Sequence, residues 1–190
     1  MPILDHFHFL APIYDRVITT VRPKRLKTLL RPSAHDRLLD VGGGTGRVAQ
    51  TLAEHVGQAI VLDESPGMLR EARAKGLPAL RAKAERLPFA AGTLPRILMV
   101  DAFHHLSDQE GVVAELIRVL APGGRLVIEE PNIEHGAVKL VALAEKLALM
   151  RSHFHSPQKM QQMFEAAGAL VTLTRDGSNF WLVVEKDPSL

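Results

Sequence analysis

The chain repeats one unit: a short apolar run, a turn, then a stretch with apolar residues at helical spacing. The runs fall at 37–41, 59–63, 79–82, 97–100 and 125–129, each four or five residues long. The second, fourth and fifth are rich in β-branched or long aliphatic side chains, as in strands of a largely buried parallel sheet. Between the runs the spacing predicts helices near 46–55, 66–75 and 109–120. The last carries Val112, Val113, Leu116, Val119 and Leu120 along one face. Ala121-Pro122-Gly123-Gly124 reads as its stop signal. Such alternation predicts an α/β class fold, Rossmann-like and doubly wound, with a mostly parallel sheet and helices on both faces.

The two ends break this rhythm. Residues 2–30 read as helical, with Pro23 placed to open a second helix. Residues 136–150 and 157–167 predict two more, the second begun by Ser156-Pro157 as N-cap and first turn. Segments 170–174 and 180–185 flank Asp176-Gly177-Ser178-Asn179 and predict an antiparallel C-terminal hairpin at the sheet edge. The expected sheet is therefore seven-stranded. We divide the single domain 1–190 into an N-terminal helical cap (1–35), a core (36–131), a helical cap segment (132–168) and the hairpin (169–190).

Composition agrees and removes several chemistries. With 46% apolar and 23% charged residues in 190, the chain is long enough to bury about 70% of its unfolded surface without staples. No stretch free of Asp, Glu, Lys and Arg exceeds nine residues, against the roughly 20 apolar ones of a membrane span. Met1-Pro2-Ile3-Leu4-Asp5-His6 lacks the basic start of a signal peptide, so a cytoplasmic location is expected. The absence of cysteine excludes disulfides, Cys-ligated zinc and any thiol nucleophile. A net charge of +2 is too small for a nucleic-acid footprint. One local exception is the run Arg16, Arg22, Lys24, Arg25, Lys27 and Arg31. It reads first as a solvated helix face, and second as an attractor for an anionic acceptor.

The strongest local signal is Asp40-Val41-Gly42-Gly43-Gly44-Thr45-Gly46, between a strand and a helix. Glycines there allow a sharp turn and a close ligand approach at a helix N-terminus with free N–H groups. The dinucleotide fingerprint needs a third glycine where Arg47 stands, and no Gly-Lys-Ser/Thr follows for a Walker loop. A nicotinamide dehydrogenase is thus disfavoured. Asp63 ends the second run, where a carboxylate can accept both ribose hydroxyls of a nucleoside. Further along come Ser65-Pro66-Gly67-Met68-Leu69, Ala84-Glu85-Arg86-Leu87-Pro88-Phe89, Asp101-Ala102-Phe103-His104-His105-Leu106 and Arg118-Val119-Leu120-Ala121-Pro122-Gly123-Gly124.

Taken in order, these motifs resemble the class I S-adenosylmethionine-dependent methyltransferases, in particular the ubiquinone/menaquinone-biosynthesis (type 11) group. The resemblance covers about residues 12–131. It implies S-adenosyl-L-methionine as cofactor and roles for particular residues. Gly42, Gly43, Gly44 and Gly46 would line its methionine portion, with Asp40 close to the amino group. Asp63 would hold the ribose, with Glu64 beside it, while Met68 packs against the adenine. Ala84 and Glu85 would lie along the adenine edge, and Asp101 and Ala102 would flank the transferred methyl. Tyr14 would close over the cofactor. This sequence departs from the family at Lys83, where an acidic residue usually reaches the adenine amino group. Lysine cannot accept a hydrogen bond, so the base must be read by backbone or another side chain. Lys83 also motivates an alternative, a non-catalytic cofactor-binding or regulatory module.

Methyl transfer is an in-line displacement that needs alignment and no metal. A base is required only if the acceptor must lose a proton, and the candidates are His104, His105 and Glu130, with His153 and His155 more distant. No metal site is expected, and His6 and His8 read as a solvated face. The expected partner is a small-molecule acceptor and not nucleic acid, since Asp101-Ala102-Phe103-His104 differs from the Asn/Asp-Pro-Pro-Tyr of adenine-N6 enzymes. Phe7, Phe9, Leu10, Ile13, Leu140, Leu143, Leu147 and Phe154 would suit a hydrophobic, quinone-like acceptor.

Overall fold

The apolar runs become strands of one seven-stranded sheet, in the spatial order β3-β2-β1-β4-β5-β7-β6. They are β1 (Arg37–Val41), β2 (Gln58–Asp63), β3 (Ala79–Arg81), β4 (Leu94–Val100) and β5 (Leu120–Pro131), joined by β6 (Leu170–Asp176) and β7 (Asn179–Glu185). β1 pairs in parallel with β2 and β4, β2 with β3, and β4 with β5; β7 runs antiparallel to both β5 and β6. The structure, a computed structural model, describes residues 11, 15, 21–136, 138 and 153–189. Helices within them are α1 (Pro23–Leu30), α2 (Arg47–Leu52), α3 (Pro66–Ala74), α4 (Gln109–Val119) and α5 (Pro157–Ala166). Tyr14, most of the predicted first helix and most of the helix expected at 136–150 lie outside the described residues.

Period-2 alternation in the strands divides the core between two faces. Ile97 and Met99 point to α4 and α5, where they meet Val112, Leu116, Met160 and Phe164. Leu98 points the other way, into Leu26, Leu30, Val48, Leu52 and Leu69 of α1, α2 and α3. Helix starts follow local chemistry. The Asp108 carboxylate accepts from the Gly111 amide at 2.9 Å and caps α4. Ser156 accepts from the Lys159 amide at 3.2 Å, the cap expected for α5.

Two features differ from the sequence reading. First, Ala121-Pro122-Gly123-Gly124 is not a separate turn: α4 stops at Val119 and the chain enters β5 directly, with a register shift against Leu94 and Arg96. Gly123 takes φ 67°, so the glycine that ends a helix serves instead as an irregularity within a strand. Second, the basic run is not wholly a solvated face. Arg22 and Arg25 reach Asp176 of β6 at 2.5 and 3.4 Å, and Arg25 lies 5.3 Å from the Trp181 ring centroid. The C-terminal hairpin stands at the sheet edge as expected, with β7 joining the parallel core and β6 outermost. No helix among the described residues is long and apolar enough to cross a membrane.

Candidate functional site: a cleft at the strand ends

The carboxyl ends of β1, β2 and β4 open onto a cleft of about 980 Å³, including its solvent-open part. Its floor is the glycine loop. The Gly42 and Gly43 amides donate to the Leu62 carbonyl at 2.8 and 3.2 Å, folding the loop back over β2. Gly42, at φ 67°, has no room for a side chain: a Cβ there would stand 2.7 Å from Ala102 Cβ. Gly46 faces away from the cleft, where a Cβ would meet Leu77, Val61 and Ala72. Its smallness serves the packing of α2.

Two carboxylates flank this floor. Asp40 is 1% exposed and its Oδ2 finds no hydrogen-bond partner among the described residues. Burial lifts its pKa from 3.8 to about 7, opposed by the Ala49 amide at the start of α2 and by Arg47. Asp63 ends β2 and is held at both oxygens: Oδ2 accepts from the Gly44 amide at 3.0 Å and Oδ1 from the Ser65 amide at 2.8 Å. Glu64 borders the mouth, its pKa raised by burial against the pull of Lys83. Met68, Ala82 and Ala84 form the apolar wall beyond it.

The opposite end begins at Asp101, a non-glycine residue at φ 55°. Asp tolerates this region better than most residues, and the twist carries the chain from β4 into a single 3-10 turn, Phe103–His105. Glu130 of β5 holds that turn from behind. Its Oε1 accepts from the Ala102 and Phe103 amides at 2.9 and 2.8 Å, and its Oε2 lies 2.6 Å from His104 Nδ1, which is therefore the donor. His104 stacks on Phe154 at 4.4 Å between centroids. Gln109 Nε2 donates to the Phe103 and His153 carbonyls at 3.0 and 2.9 Å, tying in the segment before α5. His105 and Leu106 face the cleft, whereas His104 and Glu130 stand behind its wall. Burial, then the neighbouring His104, lower the His105 pKa to about 4. Near neutral pH His105 is an uncharged imidazole.

The expected residues thus divide. Asp40, Gly42, Gly43, Gly44, Asp63, Glu64, Met68, Ala84, Asp101, Ala102 and His105 line one cleft. Gly46, Glu85, His104 and Glu130 support its walls from outside. His153 is exposed and His155 half-buried. Tyr14 lies outside the described residues; its neighbour Asp15 accepts from Thr45 Oγ1 of the glycine loop and pairs with Lys75 at 2.7 Å. The lining also includes residues outside the expected set, among them Arg47, Ala82, Met99 and Leu106. Arg47 had been noted only as the missing third glycine, although as the first residue of α2 it necessarily borders the loop.

A doubly wound sheet with a glycine-floored cleft at its carboxyl edge, and an acidic residue ending β2, defines a nucleoside-cofactor fold of the class I methyltransferase type. Comparison with known proteins agrees. Residues 39–128 match the family described as Methyltransferase domain. The chain is 40% identical over 127 residues to the demethylmenaquinone methyltransferase of Thermus thermophilus, covering 62% of this chain and 58% of that protein. In fold it matches the Haloferax volcanii protein solved with the Trm112 methyltransferase activator, with TM-score 0.82, 19% identity and coverage of 97% and 99%. It also matches Phosphoethanolamine N-methyltransferase 2 of Haemonchus contortus in complex with S-adenosyl-L-methionine, with TM-score 0.73, 16% identity and coverage of 85% and 51%. The chain spans about half the length of several of the curated relatives it matches. Over residues 39–128 the chain is thus similar to methyltransferase domains.

Proposed function

We propose that this chain transfers the methyl group of S-adenosyl-L-methionine to a small, largely apolar acceptor of quinol or phenol type. The observation that carries the reading is the cleft itself, with Asp63 fixed by two amides on one side and Asp40 presenting a buried, unpaired oxygen on the other. These fit the group: Asp63 suits a ribose diol, and Asp40 Oδ2 an α-ammonium. The close Gly42–Ala102 approach leaves a floor without side chains. When bound, S-adenosyl-L-methionine supplies an electrophilic methyl on a sulfonium.

Asp101 and Ala102 border the acceptor end, and His105 faces it as a neutral base. His105 takes a proton from an acceptor hydroxyl or amine as the acceptor is methylated. His104 and Glu130 are positioning residues: they hold the 3-10 turn and do not reach the cleft. The acceptor class rests on the apolar lining (Leu106, Met99, Ala102) and on the demethylmenaquinone methyltransferase relative. The test is methyl transfer from labelled S-adenosylmethionine to a panel of quinols, phenols and amines. We expect labelled quinol or phenol. Cofactor binding with no transfer to any of the panel would favour the non-catalytic module instead.

A further inference from the structure

Beyond Asp63 and Met68 the cleft wall is formed by the segment that follows β3. Ala82 and Ala84 line the cleft there, and between them Lys83 is exposed and does not. An ammonium has no lone pair to offer a base amino group. On the cofactor reading above, on which this inference rests, the purine lies along this segment and Lys83 offers it no acceptor, which leaves the segment's backbone groups or another side chain to read it. Recognition by main chain is only as selective as the main chain is fixed.

What fixes it is a clamp at the end of α4. Glu115 takes Arg118 in a two-point contact, accepting from Nε at 2.6 Å and from Nη2 at 2.8 Å. The pair then grips the segment. Glu115 Oε2 accepts from the Leu87 amide at 2.8 Å, while Arg118 Nη2 donates to the Leu87 carbonyl at 3.0 Å and Nη1 to the Phe89 carbonyl at 2.9 Å. Both backbone polar groups of Leu87 are thus held by one ion pair. Leu87 itself is buried in the core. Upstream, the Ala82 amide donates to the Asp63 carbonyl at 3.3 Å and the Arg86 amide to the Lys83 carbonyl at 3.2 Å. The segment is pinned at both ends with a tight turn between.

We infer that Arg118 and Glu115 are positioning residues for purine recognition, fixing the 82–89 main chain so that it reads the cofactor's base although Lys83 cannot. The planar guanidinium is essential, because its fork meets one carboxylate and two carbonyls at once, which a lysine cannot reproduce.

The test compares binding of S-adenosylhomocysteine and S-inosylhomocysteine, which differ in the base alone. The unmodified chain should prefer the adenine ligand strongly. In Arg118→Ala the adenine affinity should fall about tenfold, the scale of losing one or two well-made hydrogen bonds, and the preference should narrow by a similar factor. A merely structural loosening would reduce the fraction of competent protein and leave the preference intact. Arg118→Lys, which keeps the charge, should narrow it too, and serves where the alanine variant does not fold. An unchanged preference in a folded variant would overturn the clamp's role. Failure of the unmodified chain to bind S-adenosylhomocysteine would instead overturn the cofactor reading and the clamp with it.

Discussion

A carboxyl group at 1% exposure beneath a glycine loop holds its proton unusually well, and Asp40 does so up to about pH 7. Its folded pKa lies above the ordinary 3.8, so ionisation costs the fold stability as pH rises from about 4 to 7. Without ligand, the thermal midpoint of Asp40→Asn should fall less than that of the unmodified chain between pH 5 and 8. A ligand ammonium reverses this preference, because it pairs with the ionised form. The affinity for S-adenosylhomocysteine should therefore rise with pH up to about 7, by at most about tenfold per unit, and then level. Titration calorimetry checks it, and a pH-independent affinity for the unmodified chain would contradict the role of Asp40. At Gly42 a methyl group meets Ala102 as well as an unfavourable φ, whereas at Gly44 a Cβ would find Met68 Sδ at an ordinary 3.7 Å. Gly42→Ala should thus lower the thermal midpoint more than Gly44→Ala. Both glycines and both aspartates were legible from their motif. The unequal room around the glycines was not, because Ala102 approaches from just beyond β4, 60 residues away in sequence.

The 3-10 turn after β4 depends on one side chain from β5. Replacing Glu130 by alanine leaves the Ala102 and Phe103 amides and the His104 ring without their acceptor in a buried place. A loss of a few kcal/mol, about 1–3 for each buried donor left without its acceptor, is expected and is readable from chemical denaturation. His105→Ala removes the ring that packs on His104 at 4.0 Å between centroids but none of the Glu130 hydrogen bonds, so its denaturation midpoint should fall less than that of Glu130→Ala while kcat falls. Equal loss of stability in both variants would contradict the division between positioning and cleft-facing residues. The His104-His105 pair was legible as candidate chemistry, but its division was not. The two rings pack on each other at 4.0 Å between centroids, and only the position of Glu130 on β5 decides which is held behind the wall and which meets the cleft. Helices α2, α3, α4 and α5 lie within a few residues of the expected spans. The entry into β5 was misread because a Pro-Gly-Gly stop looks the same whether it closes a helix or deforms a strand.

Across the whole molecule, strand order follows burial. β7 reads Asn-Phe-Trp-Leu-Val-Val-Glu with its five central residues buried, whereas β6 alternates half-buried and exposed positions over most of its length. A strand covered on both faces belongs inside a sheet, and an alternating one can stand at its edge, so this order was present in the residues although not drawn from them. The attachment of α1 was beyond local pattern, because Arg22 and Asp176 are 154 positions apart. What the global arrangement achieves is a single cleft where β1, β2 and β4 end, walled by a segment hung from α4. The central claim is that this cleft holds S-adenosyl-L-methionine through Asp63. Titration calorimetry of the unmodified chain and of Asp63→Ala with S-adenosylhomocysteine tests it most directly. One molecule bound per chain, with affinity reduced by an order of magnitude or more in Asp63→Ala, is the predicted result. No binding at millimolar ligand, or equal affinity in a folded Asp63→Ala, would contradict it.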